Sequence, residues 1–146
     1  MVKIIIEIPK GSLRRIHFNK AKNEFVDLGP TKDQIPLNNG MMPIDYGFIP
    51  DTFNPNDNDD LDVLVLSNKK LKTGDKLDVL PIALIKRDDG DDKIVAADDS
   101  IEEKTWDEIS DKLKSTVLSL FSYKSKITSI ENKSFAERYI KSLAIT

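Results

Sequence analysis

The sequence predicts an α+β protein, a small antiparallel β-barrel with two or three helices packed on it. Two observations predict it. The first two-thirds of the chain breaks into short β-rich runs separated by turn residues, and the last third switches to helical spacing with capping signals. No internal repeat, low-complexity linker or break in composition divides the 146 residues, so 1–146 reads as a single domain.

Residues 2–8 alternate, with Val2, Ile4, Ile6 and Ile8 on one face and Lys3, Ile5 and Glu7 on the other. Residues 13–18 place Arg15 and His17 on one face and Arg14, Ile16 and Phe18 on the other, and Glu24–Leu28 reads as the partner strand. Residues 29–60 read as loop, punctuated by Pro30, Pro36, Gly40, Pro43, Gly47, Pro50 and Pro55. Three more strands are expected at 61–66, 76–86 and 93–97, the last two joined by the acidic turn Asp88-Asp89-Gly90-Asp91-Asp92. Thr105-Trp106-Asp107-Glu108 fits a capping box and opens a helix carrying Trp106, Ile109, Leu113, Val117 and Leu120 toward the core. A second box at Ser134-Phe135-Ala136-Glu137 opens another, with Tyr139, Ile140 and Leu143.

Composition narrows the function classes. A net charge of −3 with 7% aromatic residues disfavours generic nucleic-acid or anionic-membrane binding. Asp outnumbers Glu 18 to 7, and 12 of the Asp lie between residues 57 and 99, which points to one acidic, loop-rich face. Without Cys there is no disulfide, thiolate site or cysteine nucleophile, and a single His leaves no multi-histidine zinc site. Glu7 and Pro9 interrupt the only apolar stretch near the N-terminus, and no run is long enough to span a bilayer. The expectation is a cytoplasmic protein without a membrane partner.

The most informative segment is Asp57-Asn58-Asp59-Asp60-Leu61-Asp62, four carboxylates in six positions running into the apolar Val63-Leu64-Val65-Leu66. Clustered carboxylates repel one another unless cations neutralise them, and oxygen-only donor sets suit hard ions such as Mg²⁺, Mn²⁺ or Ca²⁺. The other reading is a solvated Asp/Asn turn before a strand. A calcium-binding EF-hand loop fails, because Leu61, Asp62 and Asn68 stand where it needs an acid or amide, a Gly and a Glu.

Asp57-x-Asp59-x-x-Asp62 followed by Val-Leu-Val resembles the signature of family I soluble inorganic pyrophosphatases. Other landmarks occur in the family's order: Glu7-Ile8-Pro9-Lys10-Gly11-Ser12, Pro43-x-x-Tyr46-Gly47-Phe48-Ile49-Pro50, the acidic loop at 88–93, and Phe121-Ser122-Tyr123-Lys124. The resemblance covers roughly residues 4–125. It implies an OB-like barrel and hydrolysis of inorganic pyrophosphate by a water bridging two divalent metals, Mg²⁺ with Mn²⁺ as the alternative ion. Asp57, Asp62, Asp88 and Asp91 would hold metal, with Asp92 a rival for Asp91, and Asp59 would take the proton from the water. Arg15, Tyr46, Lys93, Tyr123 and Lys124 would bind phosphate oxygens, with Glu7 and His17 in an outer shell. A homo-oligomer is also implied.

Three of the family's expected residues are missing, and Arg15 replaces a Lys, which keeps the charge but not the geometry. His17 replaces an acid, Leu28 an Arg and Met42 a Tyr. A Trp-bearing strand that follows the Tyr-Lys pair in many members is not evident. Arg14 or Lys32 could compensate for Leu28, but Arg14 lies on the opposite strand face from Arg15. A protonated His17 could itself bind phosphate. Two alternatives stand beside the pyrophosphatase reading: the same scaffold acting on a different phosphoanhydride, and a non-catalytic acidic metal-binding or interaction module.

Overall fold

Five strands close on themselves because the first one pairs at both edges. The computed structural model describes residues 1–33, 38–122 and 125–145. The strands are β1 (Val2–Ile8), β2 (Arg14–Asn19), β3 (Glu24–Pro30), β4 (Asp45–Asn54), β5 (Asp59–Leu66), β6 (Lys76–Arg87), β7 (Lys93–Ala97) and β8 (Ile127–Glu131). The helices are α1 (Asp111–Ser122) and α2 (Lys133–Ser142). The order β1-β4-β5-β7-β6 is closed by β6 pairing back onto β1, with Val2 opposite Val79 and Ile5 opposite Lys76. Closure removes the open edges that a flat sheet would leave. β8 is appended to β6, and β2–β3 forms a separate hairpin. All pairs but one are antiparallel. The exception, β5–β7, arises because the chain runs through β6 before returning to lie beside β5.

The barrel strands bury both faces. One face, drawn from all five strands through Ile4, Ile6, Ile49, Val63, Val79 and Ile94, packs with Ala136 and Ile140 of α2. The other, including Ile8, Leu64, Leu66, Ile85, Val95 and Ala97, packs with Val117, Leu120 and Phe121 of α1. β5 therefore reads as an almost continuous apolar run rather than a clean alternation.

Four departures from the sequence reading have physical causes. Residues 45–54, read as loop, form the ten-residue strand β4. Its Pro50 and Gly47 are turn residues elsewhere, but here the β4–β5 register shifts between Ile49 and Asn54 and Asp51 takes φ of 60°. Gly47 is required for packing: a Cβ there would stand 2.2 Å from the Ile5 carbonyl oxygen. The helix expected from Trp106 breaks into a single 3-10 turn, Trp106–Glu108, before α1, and Trp106 is only partly buried against the core. α2 is capped two residues ahead of the expected box, the Asn132 side chain accepting the Phe135 N–H at 3.3 Å. A strand without Trp does follow α1, since Ile127–Glu131 pairs with β6. No helix among the described residues is long and apolar enough to cross a membrane.

Candidate active site

The acidic strand ends converge on one cleft of about 540 Å³, at the end of the barrel face that carries α1. Strand parity puts them there. Asp62 shares the α1 face with Leu64 and Leu66, Lys93 shares it with Val95 and Ala97, and Arg87 follows Ile85 on it. On β1, a register shift between Ile6 and Ile8 leaves Glu7 buried beside Ile8 and turned into the cleft. Asp57 lies on the tight approach to β5 and Asp59 is the first residue of that strand; between them Asn58 adopts φ of 58° and the Asp59 N–H donates to Asp57 Oδ1 at 3.1 Å.

Of the residues singled out from sequence, Glu7, Arg15, His17, Tyr46, Asp57, Asp59, Asp62, Asp91 and Lys93 line this cleft. Asp88 does not. Its carboxylate accepts the Lys126 N–H at 3.1 Å, and Asp89 takes the cleft wall instead. Asp92 is buried away from the cleft, accepting the Arg87 N–H at 3.0 Å, which leaves Asp91 as the one of that pair facing the site. Tyr123 and Lys124 lie outside the described residues.

Two cations each tie two carboxylates. Lys93 Nζ sits 2.6 Å from Asp62 Oδ2 and 3.0 Å from Asp91 Oδ2, with its side chain only 7% exposed. Burial alone would lower its pKa, but Asp62 and Asp91 hold it above the ordinary lysine value. His17 Nδ1 lies 3.2 Å from Glu7 Oε2, and its Nε2 lies 3.0 Å from Asp59 Oδ2. When the ring is protonated, both nitrogens carry an N–H toward a carboxylate. The Glu7 bond raises the His17 pKa accordingly. Each nitrogen therefore faces a carboxylate rather than a phosphate.

Negative charge is still in excess. Its shielded position in the cleft, then the Asp62 and Asp91 carboxylates, push the Asp57 pKa up to about 7. Burial raises Glu7 as well. Burial and the facing Asp62 carboxylate push the Tyr46 phenol well above its usual range, so it remains a donor. The donor set is all oxygen, which suits a hard divalent cation. Among the described residues no three of these side chains converge closely enough to enclose an ion, because the Lys93 ammonium occupies the space between Asp62 and Asp91.

A pH dependence follows. Glu7, Asp57 and His17 all have folded pKa values raised above their unfolded ones. Each therefore contributes stability that is complete below its unfolded pKa and is lost as pH rises through the folded value. In chelator-treated protein the thermal midpoint is expected to fall as pH is raised from 5 to 8. A midpoint that rises over that window would show that these groups are not charged as described.

Two residues that hold the site escaped the sequence reading. Asn54, fully buried, donates from Nδ2 to Asp91 Oδ1 at 2.9 Å and accepts the Asn58 N–H on its carbonyl at 2.8 Å, joining the two acidic loops. Ser125 Oγ donates to Asp89 Oδ2 at 2.5 Å. Neither carries a local signal, since Asn before a turn and Ser after a helix are ordinary. Of the two compensating cations considered for Leu28, Arg14 forms a pair with Asp27 at 3.0 Å, and neither it nor Lys32 lines the cleft.

Residues 4–144 match the family model for inorganic pyrophosphatase, a longer span than the motifs alone suggested. The inorganic pyrophosphatase of Haloferax volcanii is 34% identical over 111 residues, covering 73% of this chain and 58% of that protein. The Haemophilus influenzae enzyme is 34% identical over 116 residues, covering 76% and 62%. The chain thus aligns with about three-fifths of these relatives' length. Among solved structures, an inorganic pyrophosphatase from Neisseria gonorrhoeae superposes with a TM-score of 0.81 at 29% identity, covering 97% of this chain and 87% of that one. One from Ehrlichia chaffeensis gives 0.83 at 25% identity, covering 97% and 91%. With the acidic strand ends gathered on one cleft of the matching barrel, this chain belongs to the inorganic pyrophosphatase family.

Proposed function

We propose that this protein hydrolyses inorganic pyrophosphate to two phosphates with a divalent cation, Mg²⁺ or Mn²⁺. The observation that carries the reading is one cleft holding Asp57, Asp59, Asp62 and Asp91 beside Arg15, Tyr46 and Lys93, in a chain of this family. Asp57, Asp62 and Asp91 would hold the cation, with Asp89 in the role expected of Asp88. Such a cation supplies screening of the substrate's charge and a lower pKa for the attacking water.

The chain's own groups account for the remaining steps. Asp59 Oδ2 accepts the proton as the water oxygen attacks one phosphorus and the bridging P–O bond breaks, which requires His17 Nε2 to give up its 3.0 Å contact. Lys93 is held by the carboxylates that would bind the cation. Once they are neutralised, its ammonium can turn to a phosphate oxygen. Tyr46 stays protonated and donates a hydrogen bond, and Arg15, which forms no ion pair among the described residues, adds a second cationic contact. Donors aimed at the leaving phosphate stabilise the charge that grows on it.

Phosphate release from pyrophosphate, measured beside nucleoside triphosphates with Mg²⁺ and then Mn²⁺, tests the reading. Preferential turnover of pyrophosphate is expected. One observation favours a second substrate: Leu28, an apolar side chain 49% exposed, stands on the cleft wall. Turnover confined to a bulkier phosphoanhydride would establish that alternative, and release from neither would leave a non-catalytic acidic module.

The cation should also act on stability. A ligand at a hundredfold excess over its Kd that binds only the folded state adds ~2.7 kcal/mol, equivalent to roughly 5–10 °C for a domain of this size. Millimolar Mg²⁺ is expected to raise the thermal midpoint by that order at pH 8, and Asp62→Asn to remove most of the shift. An undiminished shift in Asp62→Asn would place the cation elsewhere.

A further inference from the structure

The family's phosphate-binding Arg is missing at Leu28, yet this cleft contains a guanidinium that no sequence motif singled out. Arg87, the last residue of β6, lines it with its side chain only 10% exposed. Its Nε–H is buried and has no hydrogen-bond partner among the described residues. Its two nearest carboxylates are distant, Asp89 Oδ2 at 3.5 Å and Asp91 Oδ2 at 4.0 Å. Asp89 spends its stronger contacts on Ser125 Oγ and the Asp91 N–H, both within 2.9 Å. Asp91 spends its own on Lys93 and Asn54.

A guanidinium is always charged and offers five donors in a planar fork. Burying one with an unused N–H and only long ion-pair contacts is unfavourable, unless an oxyanion supplies the acceptors at some stage of the cycle. A phosphoryl group matches that fork, since two of its oxygens can take parallel N–H bonds. Of the other cations lining the cleft, only Arg15 forms no ion pair among the described residues, and it leaves the buried Arg87 Nε–H still without an acceptor. Lys93 is tied to two carboxylates, His17 to two more, and Arg14 to Asp27 outside it. Leu28 presents only carbon.

We propose that Arg87 is a phosphate-binding residue of this cleft and supplies the guanidinium contact that Leu28 cannot. The inference rests on the pyrophosphatase reading above. It also gives a reason for the two long contacts: Asp89 and Asp91 keep the guanidinium oriented without consuming its donors.

The test is calorimetric binding of methylenediphosphonate, a pyrophosphate analogue that cannot be hydrolysed, at saturating Mg²⁺. It is run with the wild type, Arg87→Met and Arg87→Lys, alongside pyrophosphate kinetics. Losing a charge-assisted bidentate contact should weaken binding of the analogue ~10- to 100-fold in Arg87→Met. Arg87→Lys, which keeps the charge but not the fork, should fall between the two. KM should rise more than kcat falls. A folded Arg87→Met that binds the analogue within about twofold of wild type overturns the proposal. Should Arg87→Met not fold, a folded Arg87→Lys with wild-type affinity overturns it equally. Wild type that hydrolyses pyrophosphate while either result holds removes Arg87 alone. Wild type that neither binds the analogue nor turns over pyrophosphate removes the reading beneath it.

Discussion

Asp59→Asn is expected to lower pyrophosphate turnover by ~10²–10⁴-fold, the usual contribution of a positioned general base. The amide keeps the shape of the side chain, and its one oxygen can still accept the Asp60 N–H, now 2.8 Å from Asp59 Oδ1, while its NH2 takes the place of Oδ2 and gives up the 3.0 Å contact with His17 Nε2. Local structure should therefore survive while the proton acceptor is lost. The effect belongs in kcat, because Asp59 is not among the residues assigned to hold the cation or the phosphates. Steady-state kinetics with calorimetric titration of Mg²⁺ separates the roles. Near-wild-type turnover would remove Asp59 from the mechanism, and loss of Mg²⁺ binding would make it a ligand instead. His17 complicates the wild type in a checkable way. Its Nε2, 3.0 Å from Asp59 Oδ2, occupies the oxygen that must take the proton until the contact opens.

Much of this site was legible in sequence because strand parity and charge are local properties. Asp62 and Lys93 each begin an apolar run, so the alternation that buries Leu64 and Val95 also fixes the face on which the two charges lie. Charge repulsion among Asp57, Asp59 and Asp62 was likewise visible without coordinates. What could not be read depended on contacts distant in sequence. Asp88 and Asp89 are adjacent and chemically identical. Only the approach of Lys126 to one and Ser125 to the other decides which faces the cleft. β4 was hidden because Gly47 and Pro50 signal turns in isolation, whereas here Gly47 admits the Ile5 carbonyl of the neighbouring strand. β8 was hidden by its brevity. Its five residues gain their pairing from β6, with Ile85 opposite Ile130 and Leu84 opposite Glu131, and a short polar-apolar alternation has little signal of its own. Arg87 was hidden because an Arg at a strand end is usually solvated.

Leu28→Arg is expected to raise catalytic efficiency on pyrophosphate by ~10-fold. One charge-assisted hydrogen bond contributes ~1.5–3 kcal/mol, or roughly ten- to a hundredfold if it forms mainly in the transition state. The lower end applies here because Arg87 already brings a guanidinium to the same cleft. Stability should change little. Leu28 is 49% exposed at a cleft wall and belongs to neither apolar cluster, so its replacement leaves no cavity and buries no charge. Thermal melts run beside the kinetics check that half of the argument. The decisive comparison is between backgrounds. If both guanidiniums serve one phosphate, Leu28→Arg should rescue Arg87→Met by more than it improves the wild type, because contacts to a shared partner are not additive. Equal gains in the two backgrounds would mean that the two residues act on different groups. A folded Leu28→Arg that gains nothing on pyrophosphate, in a protein whose wild type cleaves a bulkier phosphoanhydride, would instead make the half-exposed Leu28 an apolar contact for that substrate. The absence of Arg at this position would then be a determinant of specificity rather than a lost grip.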